Sequence, residues 1–380
     1  LNILKSGSQF TKKELFKIHC FTSGIGIFFQ VDHLESGGRP ERKRYFCRMK
    51  PSFAIVGCGR IGRRHAEQIA KTGILAAVCD IVYENAAELA GQYNANLYLS
   101  IEELLENEPT IDVVSICTPN GLHAEHSIQS LRAKKHVLCE KPLAIHLEDA
   151  KRMIHAAQDA DRQLFVVKQN RYNPPVEAVK KILKEDRLGK ILSFQVNCFW
   201  NRPNSYYSDT WKGTKKMDGG SLYTQFSHFI DLMYWMLGDV KEVKTITKNF
   251  EHRVLEIEDS GVAIIETMGG AIGTLNYTVN SYQKNMEGSF TIFGEQGTIK
   301  IGGQYLNELE YQCIAGGPIG ELPAGNPANA YGFYQGSMSN HDKVYENLVK
   351  ALNDPTHEMA SAFEGMKTVE IIEKIYAARG

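Results

Sequence analysis

No apolar run in this 380-residue chain reaches the roughly 18 residues needed to span a bilayer, so no membrane helix is predicted. Neither charge is in excess. Lys and Arg number 43 against 44 Asp and Glu, a formal net charge of −1. That balance gives no electrostatic reason to expect nucleic acid or an anionic membrane as partner. None of the eight cysteines forms a C-x-x-C pair, which removes zinc ribbons and thioredoxin motifs. A disulfide framework is not predicted in a chain of this length, and reduced thiols fit a cytoplasmic setting. No H-E-x-x-H motif or clustered ligand set occurs, so no metal is expected. No internal repeat is present. What remains, 43% apolar and 23% charged residues, is the composition of a globular protein long enough for two domains.

Residues 1–48 differ from the rest. They show no sustained periodicity, and residues 34–50 are rich in Gly, Arg and Lys. We read them as an upstream extension without regular structure or functional role, the alternative being a short partner-binding arm. Met49 stands four residues before the first strong pattern, Phe53–His65, FAIVGCGRIGRRH. Four apolar residues precede Gly57, Gly59 and Gly62 in G-x-G-x-x-G spacing, and a charged helical segment follows. A buried strand, a tight turn and a helix N-terminus suit a dinucleotide pyrophosphate, with Arg60 and Ile61 inside the turn. Gly57 permits the turn, Gly59 lets the phosphate approach the backbone, and Gly62 lets helix and strand pack closely.

Apolar runs then alternate with helical segments as far as Lys168. Strands are predicted at 53–56, 75–79, 112–117, 136–138 and 164–167, separated by helices: βαβ units in a parallel, doubly wound sheet. Asp80 ends the second strand, 23 residues after Gly57, where an acid accepts hydrogen bonds from ribose hydroxyls. Ile81 and Val82 follow where a 2′-phosphate would call for Arg, Lys or Ser, so NAD is favoured over NADP. Thr118-Pro119-Asn120-Gly121-Leu122-His123 ends the next strand, at the carboxyl edge where the cofactor lies. Glu140-Lys141-Pro142 ends the one after, which aims Lys141 at the nicotinamide end. Nearby positive charge would lower the pKa of such a lysine, fitting it to bind the hydroxyl being oxidised.

After Lys168 the pattern changes. A helix follows Pro174 and Pro175, a strand spans 191–200, and a polar, aromatic loop spans 201–220. One apolar helix is predicted over 221–237. Strands at 243–248, 261–267, 272–279, 288–293 and 298–301 follow, then a loop over 314–337 and helices near 340–352 and 360–377. The fold class is α/β: an N-terminal Rossmann domain (49–168), then an α+β domain (169–358) with an open, mostly antiparallel sheet, and a C-terminal helix (359–380).

GCGRIGRRH, TPNGLH and EKP, with the helix GGSLYTQFSHFIDL, make residues 49–302 resemble the glucose–fructose oxidoreductase/inositol dehydrogenase (Gfo/Idh/MocA) family. The resemblance implies that Gly57, Gly59, Arg60, Ile61, Gly62, Asp80, Thr118, Asn120, His123, Glu140 and Lys141 hold NAD. It implies that Lys141 is catalytic, allows a cis peptide before Pro142, sends the final helix back to the Rossmann domain, and makes the open sheet an oligomer surface, in a dimer or tetramer. His228 matches the family's catalytic histidine, with the pKa to take a hydroxyl proton. Thr224 stands where many members carry Asp. Asp231 either orients the imidazole or is a solvated or capping acid. Arg171, Tyr172, Asn173, Trp211 and Lys212, with Lys141, Thr224 and His228, are the candidate sugar contacts, and Arg171 and Arg202 could clamp a carboxylate or diphosphate. These stretches are similar to those of members acting on nucleotide sugars in cell-surface polysaccharide synthesis, UDP-N-acetylglucosaminuronate 3-dehydrogenases above all. The alternatives are a free-sugar or inositol-type dehydrogenase of catabolism, and an NAD-binding regulator without activity.

Overall fold

The computed structural model describes residues 16–23, 26–33, 41–48, 50–208, 211–253, 255–330, 335–354 and 356–379. The described residues divide into two compact units, one before and one from Ser52. In the first, strands β1 (Phe16–Ser23), β2 (Gly26–His33) and β3 (Glu41–Arg48) form an antiparallel meander. This differs from the unstructured extension expected there. Runs such as FKIHCFTS and GIFFQV carry the aromatic and β-branched residues that favour strands, and each is short enough to be passed over.

The second unit opens with a six-stranded parallel sheet: β4 (Ser52–Val56), β5 (Ile74–Cys79), β6 (Asn96–Tyr98), β7 (Val113–Ile116), β8 (His136–Cys139) and β9 (Leu164–Val166). Their order, β6-β5-β4-β7-β8-β9, places the topological switch between β4 and β7, which is where such sheets bind ligands. The crossover helices are α1 (Arg60–Thr72), α2 (Tyr83–Tyr93), α3 (Ile101–Asn107), α4 (His123–Arg132) and α5 (Leu147–Ala160). Phe53, Ile55 and Val113 are fully buried on one face of the sheet and Ala54, Val114 and Ile116 on the other, as parallel strands require. Of this sheet, only the three-residue β6 is missing from the strands predicted above.

Helix α6 (Pro174–Lys184) leads into β10 (Ile191–Phe199), the centre of a seven-stranded sheet. The other strands are β11 (Val240–Lys248), β12 (Ser260–Thr267), β13 (Ile272–Thr278), β14 (Glu287–Gly294), β15 (Gly297–Gly302) and β16 (Glu308–Ile314). Neighbours are antiparallel except β10 and β13, which run parallel. The stretch expected to be loop over 314–337 contains a small hairpin, β17 (Ala328–Ala330) and β18 (Gln335–Met338).

The apolar helix expected over 221–237 is broken. It forms α7 (Ser221–Thr224) and α8 (Ser227–Leu237). At the break the Phe226 N–H reaches back five residues to the Ser221 carbonyl, 3.2 Å away, a widened turn of the kind found at functional sites. Two helices close the chain, α9 (His341–Asn353) and α10 (Ala362–Ala377). Helix α9 buries Val344, Tyr345 and Leu348 in the cluster formed by Phe53, Ile55, Ala66 and Ile69 of β4 and α1. It therefore belongs to the dinucleotide layer, although the expected boundary put it in the second domain. Its polar, exposed face hid that allegiance in the sequence. Helix α10 returns too: Ser361, just before it, bridges Phe165 of β9, and the Leu147 N–H at the start of α5 donates to Glu373. Among the described residues six cysteines are free thiols, five of them buried, and no helix is long and apolar enough to cross a membrane.

Candidate active site

A cleft of about 750 Å³ runs along the carboxyl edge of the parallel sheet and under the second sheet. Gly57, Gly59, Arg60 and Ile61 line one end. Gly57 has φ +99°, and a Cβ there would lie 2.6 Å from the Cys117 carbonyl oxygen. At Gly62 a Cβ would lie 2.1 Å from the Gly57 carbonyl oxygen, so α1 can approach β4 this closely only with glycine. Beyond the absent Cβ of Gly59 there is no atom within 4 Å. Helix α1 begins at Gly59 with no side-chain cap and no acidic residue in its first turn. Its first N–H groups thus face open space beside the cleft, the cradle a pyrophosphate fits. Asp80 accepts the Cys58 N–H (2.7 Å) and the Val82 N–H (2.9 Å). These bonds fix its carboxylate at the cleft edge with lone pairs left for ribose hydroxyls. Ile81 is exposed and Glu84 opens α2, so a 2′-phosphate would meet acid and hydrocarbon there.

The TPNGLH and EKP loops are stapled together. His123 is buried, its ring nitrogens 2.6 Å from the Pro142 carbonyl oxygen and 2.9 Å from that of Thr118. The Lys141–Pro142 peptide is cis. Asn120 donates to Thr224 Oγ1 (2.7 Å) and to the Asp218 carbonyl (3.0 Å). Gly121 packs so tightly on Lys216 that a Cβ would sit 2.3 Å from that carbonyl oxygen. The motif thus also docks the second domain's loop, which its position on the sheet edge did not reveal.

Lys141 Nζ donates to the Thr224 carbonyl, 2.8 Å away. In an unbroken helix that carbonyl would take the His228 N–H; the break between α7 and α8 turns it to the lysine. Burial lowers the Lys141 pKa, with Arg202 and Lys168 adding to the effect and Glu140 and Asp218 opposing it. His228 lines the same cleft. Burial and then Lys141 hold its pKa well below the ordinary value, so the imidazole is neutral. Its Nε2 lies 3.2 Å from the Gln169 amide nitrogen, which makes Nε2 the lone-pair atom.

Asp231 does not orient His228. It accepts both arms of Arg171 (2.8 Å each) and Lys168 Nζ (3.0 Å). Arg171 also pairs with Glu364 of α10 at 2.6 Å and is buried. Its fork is spent inside the protein, and it lies outside the cleft lining, so the expected clamp is a structural ion-pair network. Asn173 is likewise internal, donating to the carbonyls of Tyr305 and Leu306 at 3.0 Å. Tyr172 packs against the cluster of β4, α1 and α9. These three were predicted from their place next to the sheet edge, but the short helix Gln169–Tyr172 turns Gln169 toward the cleft and its successors away.

Trp211 and Lys212 do line the cleft, with Trp200, Arg202 and Tyr206. Lys212 Nζ stands 4.2 Å from the Tyr206 ring centroid. Burial, then Arg60, lowers its pKa to about 8. Arg202 donates to Gln225 at 2.7 Å and lies over Trp200. Thr224 donates to Asp218 at 2.6 Å. Glu140 sits at the cleft floor, but its carboxylate accepts the Lys141 N–H (3.0 Å) and lies 2.9 Å from His65 Nε2 and 3.3 Å from His341 Nε2. This buried trio, drawn from α1, the EKP loop and α9, is invisible in the sequence because 201 residues separate Glu140 from His341. Asn329, Gly336 and Ser337 of the small hairpin also line the cleft, and composition alone made them loop.

Family profiles match both halves: the oxidoreductase family, NAD-binding Rossmann fold, over residues 52–168, and the GFO/IDH/MocA C-terminal domain over 176–300. Among curated relatives, levoglucosan dehydrogenase of Pseudarthrobacter phenanthrenivorans is 30% identical over 68% of this chain and 75% of its own length. Glucose-6-phosphate 3-dehydrogenase of Bacillus subtilis is 30% identical over 85% of this chain and 95% of its own. Among solved structures, the WlbA dehydrogenase of Bordetella pertussis in complex with NADH and UDP-GlcNAcA superposes with a TM-score of 0.78 at 34% identity, covering 87% of this chain and 96% of that one. The glycine cradle, Asp80 and the Lys141–His228 pair thus sit in a chain that belongs to the Gfo/Idh/MocA family of oxidoreductases, with NAD as its cofactor.

Proposed function

We propose that the chain is a sugar dehydrogenase that oxidises a ring hydroxyl, at carbon 3 of a UDP-linked N-acetyl-hexosaminuronate. One observation carries this reading: Arg202 and Lys212, with Trp200, Tyr206 and Trp211, flank the cleft that holds Lys141 and His228. After burial, Arg60 and Arg202 both disfavour the charged form of Lys212, with Asp218 opposing them, and an anionic ligand beside Lys212 would favour that charge. The aromatic rings offer stacking faces to a sugar or base. Likeness to the Bordetella pertussis dehydrogenase, crystallised with UDP-GlcNAcA, supports the same substrate class.

The glycine turn, Asp80 and the two loops would hold NAD, whose nicotinamide would supply the hydride acceptor. Lys141 Nζ, its pKa lowered by burial, binds the hydroxyl and draws off its proton; His228 assists as base once its Nε2 exchanges the Gln169 amide for the hydroxyl. The Thr224 carbonyl keeps the amine aimed at the sugar.

NADH formation on UDP-N-acetylglucosaminuronate, glucose 6-phosphate, levoglucosan and myo-inositol tests the reading. The UDP sugar should have the highest kcat/KM. A preference for a free sugar would install the second reading, a catabolic dehydrogenase, which the two 30%-identical relatives favour. Loss of turnover in Lys141→Ala, by roughly a thousandfold or more with NAD still bound, is expected if the lysine is catalytic. A folded wild type that binds NAD and oxidises nothing would leave the regulator.

We also infer a homo-oligomer. Ile246, Val262, Ile264, Ile272 and Tyr311 are exposed on the second sheet. Register places Ile246 opposite Val262, with Ile264 two residues on along the same face and Ile272 diagonal to it, so these four form an apolar patch at one end of the sheet, while Tyr311 stands apart on β16.

A further inference from the structure

Asp218 is 1% exposed and carries no assigned role. It lies in the loop before α7, and every neighbour that bonds its carboxylate is a donor. Thr224 Oγ1 donates at 2.6 Å, the Gly213 N–H at 2.8 Å and the Gly220 N–H at 3.4 Å. Burial raises its pKa, while each of these three donors favours the ionised form. Three donors converging on one carboxylate favour its ionised form and oppose the burial.

The groups around Thr224 converge. Its hydroxyl gives its proton to Asp218 and receives the Asn120 amide; its carbonyl receives Lys141 Nζ. Asp218 is therefore one residue removed from Lys141, by way of Thr224. The position that would carry an acid facing His228 directly is occupied by Thr224 itself. The acid has come instead from six residues upstream.

We propose that Asp218 is the positioning carboxylate of this site: through Thr224 it fixes the carbonyl that aims Lys141, and its charge acts on that amine. The proposal rests on the reading of Lys141 as the proton-accepting group. Lys141 is also faced by Glu140 from its own loop, Arg202 from the loop after β10, Lys168 after β9 and His228 from α8. Of these only Glu140 shares the sign of Asp218. Removing Asp218 thus leaves Lys141 among three cationic or titratable neighbours and one acid, and its protonated form becomes harder to keep.

The test measures Lys141 itself as well as turnover. Competitive acetylation followed by mass spectrometry gives the Lys141 titration in the full-length, NADH-loaded protein. In Asp218→Asn that titration should move to lower pH by roughly half to one unit. With UDP-N-acetylglucosaminuronate and NAD, the acid limb of kcat/KM should move the same way, while kcat falls about ten- to a hundredfold. Adding Thr224→Asp to Asp218→Asn returns a carboxylate to the site and should restore the Lys141 titration. Thr224→Val cuts the hydroxyl link and keeps the charge, so kcat should fall with the titration in place. An unmoved Lys141 titration in folded Asp218→Asn overturns the electrostatic part. Full kcat in Thr224→Val overturns the positioning part, and stands as the test if Asp218→Asn does not fold. Normal turnover in Lys141→Ala would instead sink the functional reading, whatever Asp218 does.

Discussion

Two arginines in this molecule look interchangeable on paper and are not. Arg171 and Arg202 both stand near the start of the second domain among polar neighbours. Arg171 is locked by Asp231 and Glu364, whereas Arg202 reaches the cleft wall over Trp200. The difference is one of partners, and the partners of Arg171 lie 60 and 193 residues away. Asp231→Asn should therefore cost stability rather than substrate affinity. It would strand Lys168 and Arg171 without their shared anion, a loss of about 3–5 kcal/mol. Denaturant melts against KM for the sugar separate the two outcomes. The same logic explains why Lys141, His228 and Asp80 were legible in the sequence and Asp218 and His341 were not. The first three sit at strand ends or in motifs where chain order fixes position. The others reach their partners through tertiary contacts that no local spacing encodes.

At the scale of elements, the βαβ half was readable because buried parallel strands are short apolar runs punctuated by helices. Boundaries there fall within a residue or two. The second half was less so: a continuous apolar stretch concealed the break at Gln225–Phe226, since hydrophobic pattern reports burial and not the hydrogen-bond ladder. That break is where Thr224 meets Lys141. The turn into α1 depends on a missing side chain in the same way that the break depends on a missing ladder bond. Gly62→Ala would drive a methyl into the Gly57 carbonyl, lifting α1 from β4. Loss of NADH binding, read by fluorescence titration, should accompany a lower Tm, with the cleft's sugar-side residues unaltered.

For the molecule as a whole, two properties follow from burial. His65 and His228 are buried and His136 is partly so; burial lowers all three pKa values, that of His136 to about 4. In the unfolded chain each would titrate near 6.5. Below that pH the unfolded state binds protons that the folded state refuses, so stability is full above about pH 6.5 and drains as pH falls toward the folded values. A Tm series from pH 7.5 to 4.5 should show a progressive decline that His136→Gln lessens. The second property is the apolar sheet face. Ile264→Lys should convert an oligomer to a smaller species in sedimentation velocity, with the NAD cradle untouched; an unchanged sedimentation coefficient would place self-association elsewhere.

Helix α10 has a bearing on how ligands come and go. Its Glu364 holds Arg171, its Thr368 takes Lys168, its Glu373 caps α5, and Ala378 just beyond it hydrogen-bonds β11 of the other sheet. A rod tied at four places to α5, the segment after β9 and strand β11 is expected to resist the jaw-like bending by which many two-domain enzymes admit and release their cofactors. Traffic through this cleft must be accommodated by side chains and loop segments along its rim, and small-angle scattering should give the same radius of gyration with and without NAD.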